Sequence, residues 1–186
     1  RTDYRNIFIH STRSGQNWTL EEEYRATVNY FLAAGTQASS QFVVGPSSAT
    51  RIVLDEDTSW HATYNNDNSL SIEIAQPTIN HPFLDNQYFI TAEIVKNWCN
   101  KYSIPKIRIF DENQRGIIGH NDSQQVKAAG KSDPIPLNWS KLMNLINEVV
   151  PPTDFIVGEG FKNLIVQHKL TLLTDEVYTN WGSYAL

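Results

Sequence analysis

The sequence predicts an α/β or α+β fold in which a mixed β-sheet is flanked by helices. Short β-prone segments alternate with amphipathic helical segments up to about residue 150, and such an order requires one sheet with helices packed on its faces. The chain has 186 residues, 40% of them hydrophobic, which is enough to bury a core. We expect one domain over residues 1–150 and a distinct extension over residues 151–186.

The first strand is predicted over residues 7–9 because they are apolar and β-prone, and it ends at His10, where a polar loop begins. A capping-box pattern follows, with Thr19 as the N-cap and Glu22 three residues later. These residues predict a helix that ends at Gly35. Its apolar side chains recur every four residues, at Leu20, Tyr24, Val28 and Leu32.

Two β-prone runs, residues 41–44 and 51–54, flank the turn-forming sequence Gly45-Pro46-Ser47-Ser48 and predict a hairpin. Residues 69–75 predict another strand, because Leu70, Ile72 and Ile74 alternate with small or polar residues. Glu73 therefore lies on the opposite face of that strand, among small neighbours.

The second half of the chain contains two further predicted helices. Residues 85–102 carry an apolar stripe that includes Cys99, which we interpret as a core residue and not as a nucleophile. A strand is predicted over residues 106–110, and residues 111–136 are predicted to form a long polar loop. Asn138 is predicted to cap the third helix. The inward residues of that helix would be Leu142, Leu145, Ile146 and Val149.

Composition excludes several functional classes. The 15 basic and 20 acidic residues give a net charge of −5, so nucleic acid is not an expected partner. No apolar run approaches the roughly 20 residues that span a bilayer. The single Cys99 cannot form an internal disulfide.

Two of the five histidines have settings that suit a metal ligand. His10 ends a strand, and His120 lies in the long polar loop. The third candidate is Asp133, because the proline after it favours an extended backbone that points Asp133 and Lys131 the same way. Two imidazoles and one carboxylate form a sensible zinc set. The residues alone favour the alternative in which Asp133 begins a turn beside a solvated Lys131, and Asp122 is a rival ligand.

Several short motifs carry a family resemblance. In order along the chain, they are Ile7-Phe8-Ile9-His10-Ser11-Thr12, Ser40-Gln41-Phe42-Val43-Val44, Trp60-His61-Ala62, Asn68-Ser69-Leu70-Ser71-Ile72-Glu73, Gly119-His120 and Lys131-Ser132-Asp133-Pro134. With these motifs, the sequence resembles the zinc-dependent N-acetylmuramoyl-L-alanine amidases of the type-2 amidase family, which includes peptidoglycan recognition proteins and phage lysozymes.

The resemblance implies that Zn²⁺ is held by three ligands, His10, His120 and Asp133. It assigns catalytic roles to Glu73, as general base and acid, and to Lys131, as a positive charge beside the developing oxyanion. It also places Trp60 and His61 along the substrate groove, although a buried Trp60 and a surface His61 are an alternative. Gln41 and Ser71 depart from the family pattern, which often has His and Gly there.

The function that the resemblance implies is cleavage of the amide bond between N-acetylmuramic acid and L-alanine in peptidoglycan. A module that binds peptidoglycan without cutting it is the alternative, and a protein-binding regulator is a third. We expect a monomer that acts on the cell wall, either secreted or delivered by a phage. Residues 151–186 would be a linker or part of a wall-binding segment.

Overall fold

A computed structural model describes residues 3–124 and 130–148, and it contains a five-stranded sheet in the order β3-β2-β4-β1-β5. The predicted mixed sheet with flanking helices is confirmed, since only β3 runs antiparallel to its neighbour. The strands and α-helices in chain order are β1 (Asn6–Ser11), α1 (Leu20–Leu32), β2 (Phe42–Val44), β3 (Ala49–Arg51), β4 (Ser69–Ile74), α2 (Asp85–Tyr102), β5 (Gly116–Gly119) and α3 (Trp139–Asn147).

Strand β1 lies at the centre of the sheet, and every one of its residues is buried. It pairs in parallel with β4 on one side and with β5 on the other. The register places His10 opposite Glu73, and Ile9 opposite Gly119. The carboxyl ends of three strands therefore meet at one edge of the sheet.

The two faces of the sheet serve different purposes because side chains alternate along each strand. The main core lies on one face, where Ile7, Ile9 and Ile72 pack with Trp98 of α2 and Leu142 of α3. The opposite face carries a small cluster formed by Phe8, Ala62, Ile109 and Ile118. His10 follows Phe8 by two residues, so it belongs to this second face.

Local sequence signals located the helices well. The capping box of α1 is present: the backbone N–H of Glu22 donates to Thr19 Oγ1 over 3.2 Å, and the N–H of Thr19 donates to Glu22 Oε2 over 2.8 Å. Tyr24 is buried against Gly45, where a Cβ atom would lie 2.7 Å from the ring. Leu32, in contrast, is 63% exposed, because α1 ends there and not at Gly35.

Helix α2 has the predicted bounds, and Cys99 is a buried core residue whose burial raises its pKa to about 12. Asn138 caps α3 as predicted, accepting from the N–H of Lys141 over 3.0 Å. Leu142 and Ile146 are buried. Val149 and the extension over residues 151–186 lie outside the described residues.

The prediction of a strand over residues 106–110 is wrong. Ile107 and Phe110 are more than half exposed, and the segment makes only an isolated bridge from Arg108 to Ile117. The strand is β5, which lies inside the stretch predicted to be a loop. Gly116 begins it at φ +154, and a Cβ atom there would lie 2.7 Å from the Ile107 carbonyl oxygen. Four residues bounded by glycines are too few to show a strand period.

Within the part of the chain that the structure describes, no helix is both long enough and apolar enough to cross a membrane.

The corrected strand assignment can be tested by stability. Ile117→Ala should lower the free energy of unfolding by about 2–5 kcal/mol, because Ile117 is fully buried in the central sheet. Ile107→Ala, the matched control with 53% exposure, should change it by about 0.5 kcal/mol or less. Urea denaturation measures both changes. Equal losses would show that residues 106–110 are packed as a strand after all.

Candidate metal centre

The structure brings His10, His120 and Asp133 together at one edge of the sheet. One potential ligand atom from each residue lies within 4.8 Å of the other two. His10 lies near the end of β1, and His120 directly follows β5. Because β1 and β5 are parallel neighbours, their ends deliver both imidazoles to the same place. Asp133 comes from the loop that precedes α3.

Both imidazole rings turn their Nδ1 atoms towards the Asp133 carboxylate. His120 Nδ1 lies 2.9 Å from Asp133 Oδ2 and 3.1 Å from Oδ1, and His10 Nδ1 lies 3.5 Å from Oδ2. The two rings are 4.3 Å apart, centroid to centroid. The His10 side chain is 2% exposed, whereas those of His120 and Asp133 are 13% and 14% exposed. The cluster is thus closed on the His10 side and open to solvent on the other.

Burial and neighbouring charge set the ionisation of the cluster. Burial, assisted by the positive charge that His120 can carry, lowers the pKa of His10 to about 4, so its imidazole is neutral at pH 7. Although burial opposes ionisation of Asp133, the adjacent imidazoles of His10 and His120 hold the pKa of its carboxyl below the ordinary value. A neutral imidazole and an ionised carboxylate are the forms that bind metal, so this donor set fits zinc.

Glu73 lies beside the cluster because β4 pairs with β1. Within the described residues, its Oε2 atom is buried and has no hydrogen-bond partner. Burial first, and then repulsion from Asp133 and Glu23, raise the pKa of Glu73 well above its usual value, while Lys131 opposes the shift. A buried carboxylate oxygen without a partner is costly, and such groups concentrate at functional sites.

Lys131 is exposed at the rim of the site. Its positive charge is nevertheless near enough to lower the pKa of both His10 and Glu73. A single loop therefore contributes both a candidate ligand, Asp133, and a cation.

Arg13 connects that loop to the end of β1. Its guanidinium donates to Ser132 Oγ over 2.6 Å, to the Ser132 carbonyl over 3.2 Å and to the Ile135 carbonyl. Arg13, in the loop that follows His10, thereby fixes the backbone on both sides of Asp133. The sequence analysis missed this residue, since an arginine in a polar string gives no signal of its long-range partners.

Glu23 of α1 fixes the same loop from the other side. It is 1% exposed, and its carboxylate accepts hydrogen bonds from the Ser14 backbone N–H over 3.0 Å and from the Thr12 and Ser14 hydroxyls. In the sequence, Glu23 is indistinguishable from the other acidic residues in the first turn of the helix. Its role could not be predicted from the pattern.

The Trp60-His61 corner is only partly as expected. Trp60 is 57% exposed, so the alternative of a buried Trp60 is wrong. His61 is not a simple surface residue either, because its Nδ1 lies 3.1 Å from His10 Nε2. Asp122, the rival ligand, lies outside the cluster and pairs with Arg108 over 3.1 Å.

The two departures from the family pattern, Gln41 and Ser71, contact each other. Gln41 Oε1 accepts from the Ser71 backbone N–H over 2.8 Å, from Ser71 Oγ over 3.1 Å and from Ser59 Oγ over 2.8 Å. All three residues are fully buried. They form an internal polar network and do not line the solvent-exposed side of the cluster.

Comparisons with known proteins agree with this architecture. A family model described as N-acetylmuramoyl-L-alanine amidase matches residues 1–136. The fold is shared with a mutant endolysin from Bacillus subtilis (TM-score 0.57, 19% identity, 77% of this chain and 86% of that chain). It is also shared with a selenomethionine derivative of AmpD (0.59, 16%, 77% and 85%) and with the Staphylococcus aureus hydrolase AmiA in complex with its ligand (0.59, 16%, 92% and 78%). No curated protein matches the sequence.

The raised pKa of Glu73 predicts a pH-dependent stability in the metal-free protein. Since the folded state favours the neutral carboxyl, ionisation of Glu73 costs stability above the ordinary glutamate pKa. Glu73→Gln should therefore stabilise the chelator-treated protein at pH 8. The gain should fade as the pH falls through the raised pKa of Glu73 and should be absent below the ordinary glutamate pKa. Urea denaturation across this range is the measurement. Destabilisation at pH 8 would contradict the assignment of a buried, unfavourable charge.

Proposed function

The chain belongs to the N-acetylmuramoyl-L-alanine amidase family, and on this basis we propose that it is a zinc hydrolase that cleaves the bond between N-acetylmuramic acid and L-alanine. Family membership supports amidase activity on peptidoglycan. The observation that carries the finer proposal is the cluster of His10, His120 and Asp133 with the unpartnered carboxylate oxygen of Glu73 beside it.

His10, His120 and Asp133 would hold the zinc ion. When bound there, zinc would bring the pKa of a coordinated water to about 7 and polarise the carbonyl of the scissile amide. The solvent-exposed side of the cluster, next to His120 and Asp133, is where a substrate amide can approach.

Glu73 supplies the proton transfers that amide hydrolysis requires. It would accept a proton from the attacking water and later donate it to the amine nitrogen as the carbon–nitrogen bond breaks. The products are a lactyl carboxylate and a new amino terminus on L-alanine. The burial and repulsion that raise the pKa of Glu73 suit both roles, because they favour a carboxyl that can hold a proton nearer to neutral pH.

Lys131 would stabilise the negative charge that develops on the carbonyl oxygen. Its charge already acts on His10, a candidate ligand, and on Glu73, the candidate base. A preorganised cation of this kind lowers the barrier because it need not reorient as the charge forms.

Trp60 provides a surface for the glycopeptide. Its ring is exposed, while the backbone around it is fixed to Ser39 by two hydrogen bonds, of 2.9 and 3.0 Å. The adjacent residue His61 contacts His10, which places this aromatic corner next to the candidate metal centre.

We propose that the enzyme acts as a monomer on the cell wall after secretion or phage delivery.

Removal of the third ligand tests the metal assignment. Asp133→Ala should neither bind zinc nor release stem peptide from muropeptides. Asp85→Asn, a change in a side chain that is 91% exposed, should retain both properties. Metal analysis and mass spectrometry of digested muropeptides are the measurements. If the wild-type protein binds cell-wall sacculi but releases no new amino termini, it is a binding module and not a hydrolase.

Replacement of the candidate general base separates chemistry from metal binding. Glu73→Gln should lower kcat by about 10²- to 10⁴-fold, because the amide cannot take up the proton, while zinc content stays at the wild-type level. Glu21→Gln, on the exposed side of α1, is the control and should leave kcat unchanged. Activity near that of the wild type in Glu73→Gln would remove Glu73 from the mechanism.

A further inference from the structure

We propose that His61 is a positioning residue that fixes the tautomer and ring orientation of His10 through a directed chain of hydrogen bonds ending at the Asn65 carbonyl. This inference rests on the proposed zinc site. It assigns to His61 a role towards the metal ligand in place of direct substrate contact.

The two nitrogens of His10 face different partners. Its Nδ1 lies 3.5 Å from Asp133 Oδ2, on the side of the ligand cluster. Its Nε2 points away from the cluster and lies 3.1 Å from His61 Nδ1. The two rings are nearly perpendicular, at 87°, so the Nε2–Nδ1 contact is edge-on and not a stacked one.

The far end of the chain sets its direction. The Ser69 hydroxyl has one hydrogen, which it donates to the Asn65 carbonyl over 2.5 Å. Towards His61 Nε2, which lies 3.0 Å away, Ser69 Oγ must then act as the acceptor. A neutral imidazole that carries its hydrogen on Nε2 presents Nδ1 as an acceptor.

In the contact between the two rings, His61 Nδ1 is accordingly the acceptor and His10 donates its Nε2–H. With its hydrogen on Nε2, His10 leaves the Nδ1 lone pair directed into the cluster of His120 and Asp133. This is the tautomer that a ligand bound through Nδ1 requires, and hydrogen bonds to the remote nitrogen of a ligating histidine typically fix its ring and raise its basicity.

The surroundings of His61 make it a stable anchor. Asn66 Oδ1 accepts from the backbone N–H groups of His61 and Ala62, over 3.0 and 2.7 Å. Phe8 contacts the His61 ring edge-on, with centroids 5.3 Å apart. Ser69 begins β4 and is paired with Asn6 of β1, so the donor chain and the ligand strand belong to one sheet.

The test is the zinc dissociation constant of the full chain, measured by competition with a chromogenic chelator. His61→Phe keeps the ring but removes both nitrogens, and it should weaken zinc binding by about 10- to 100-fold. His61→Asn places an amide oxygen near the position of Nδ1 and should recover most of that loss. His81→Phe is the matched control, since His81 pairs with Thr78 over 3.2 Å, and it should bind zinc as the wild type does.

Wild-type affinity in His61→Phe, or no recovery in His61→Asn, would overturn this inference while leaving the proposed function intact. Failure of the wild-type chain to bind zinc would refute both. The tautomers provide a second readout that needs no variant. Long-range ¹H–¹⁵N spectra of the zinc-loaded wild type should show hydrogen on Nε2 of both His10 and His61, and a hydrogen on Nδ1 of His61 would refute the chain.

Discussion

The parallel pairing of β1 with β4 and β5 is the constraint on which the site depends. It aligns three strand ends at one edge of the sheet. The pairing of the strands therefore brings His10, Glu73 and His120 together, and no direct contact between these side chains is needed to do so. The strands are buried and apolar on the opposite face, and that packing fixes their register. A shift of one residue would turn His10 into the core and remove it from the cluster.

The site combines side chains on the central strands with one side chain on a loop. His10 and Glu73 belong to the central strands, and their positions follow from the sheet. Asp133 comes from a loop and needs separate restraints, which Arg13 supplies through Ser132 and Ile135. Glu23 in turn holds the segment that carries Arg13, through Thr12 and Ser14. The precision of the metal centre therefore depends on residues that never face the metal.

Local signals account for what the sequence predicted well. The Thr19 capping box, the α2 stripe and the turn in the hairpin are each encoded within a few residues, and the structure contains all three. His10, His120 and Asp133 could be proposed as ligands because strand ends, loops and family motifs mark them. β5 was not predicted because four residues carry no period. Residues 106–110 resemble a strand because three of the five are apolar, yet only Ile109 is buried, whereas Ile107 and Phe110 are exposed. Arg13, Glu23 and the contact of His61 with His10 join residues far apart in sequence, which no local pattern records.

The polar network beneath the hairpin has a consequence for how this chain can change over evolutionary time. Gln41 is the shared acceptor for donors on Ser59 and Ser71, all within a region closed to water. Exchange of Gln41 alone would remove the acceptor that the Ser71 backbone N–H and the two hydroxyls share, at a cost comparable to losing a hydrogen bond in the interior. A substitution at one of these positions is therefore tolerated only when the others change too. We expect the members of the network to be replaced as a set.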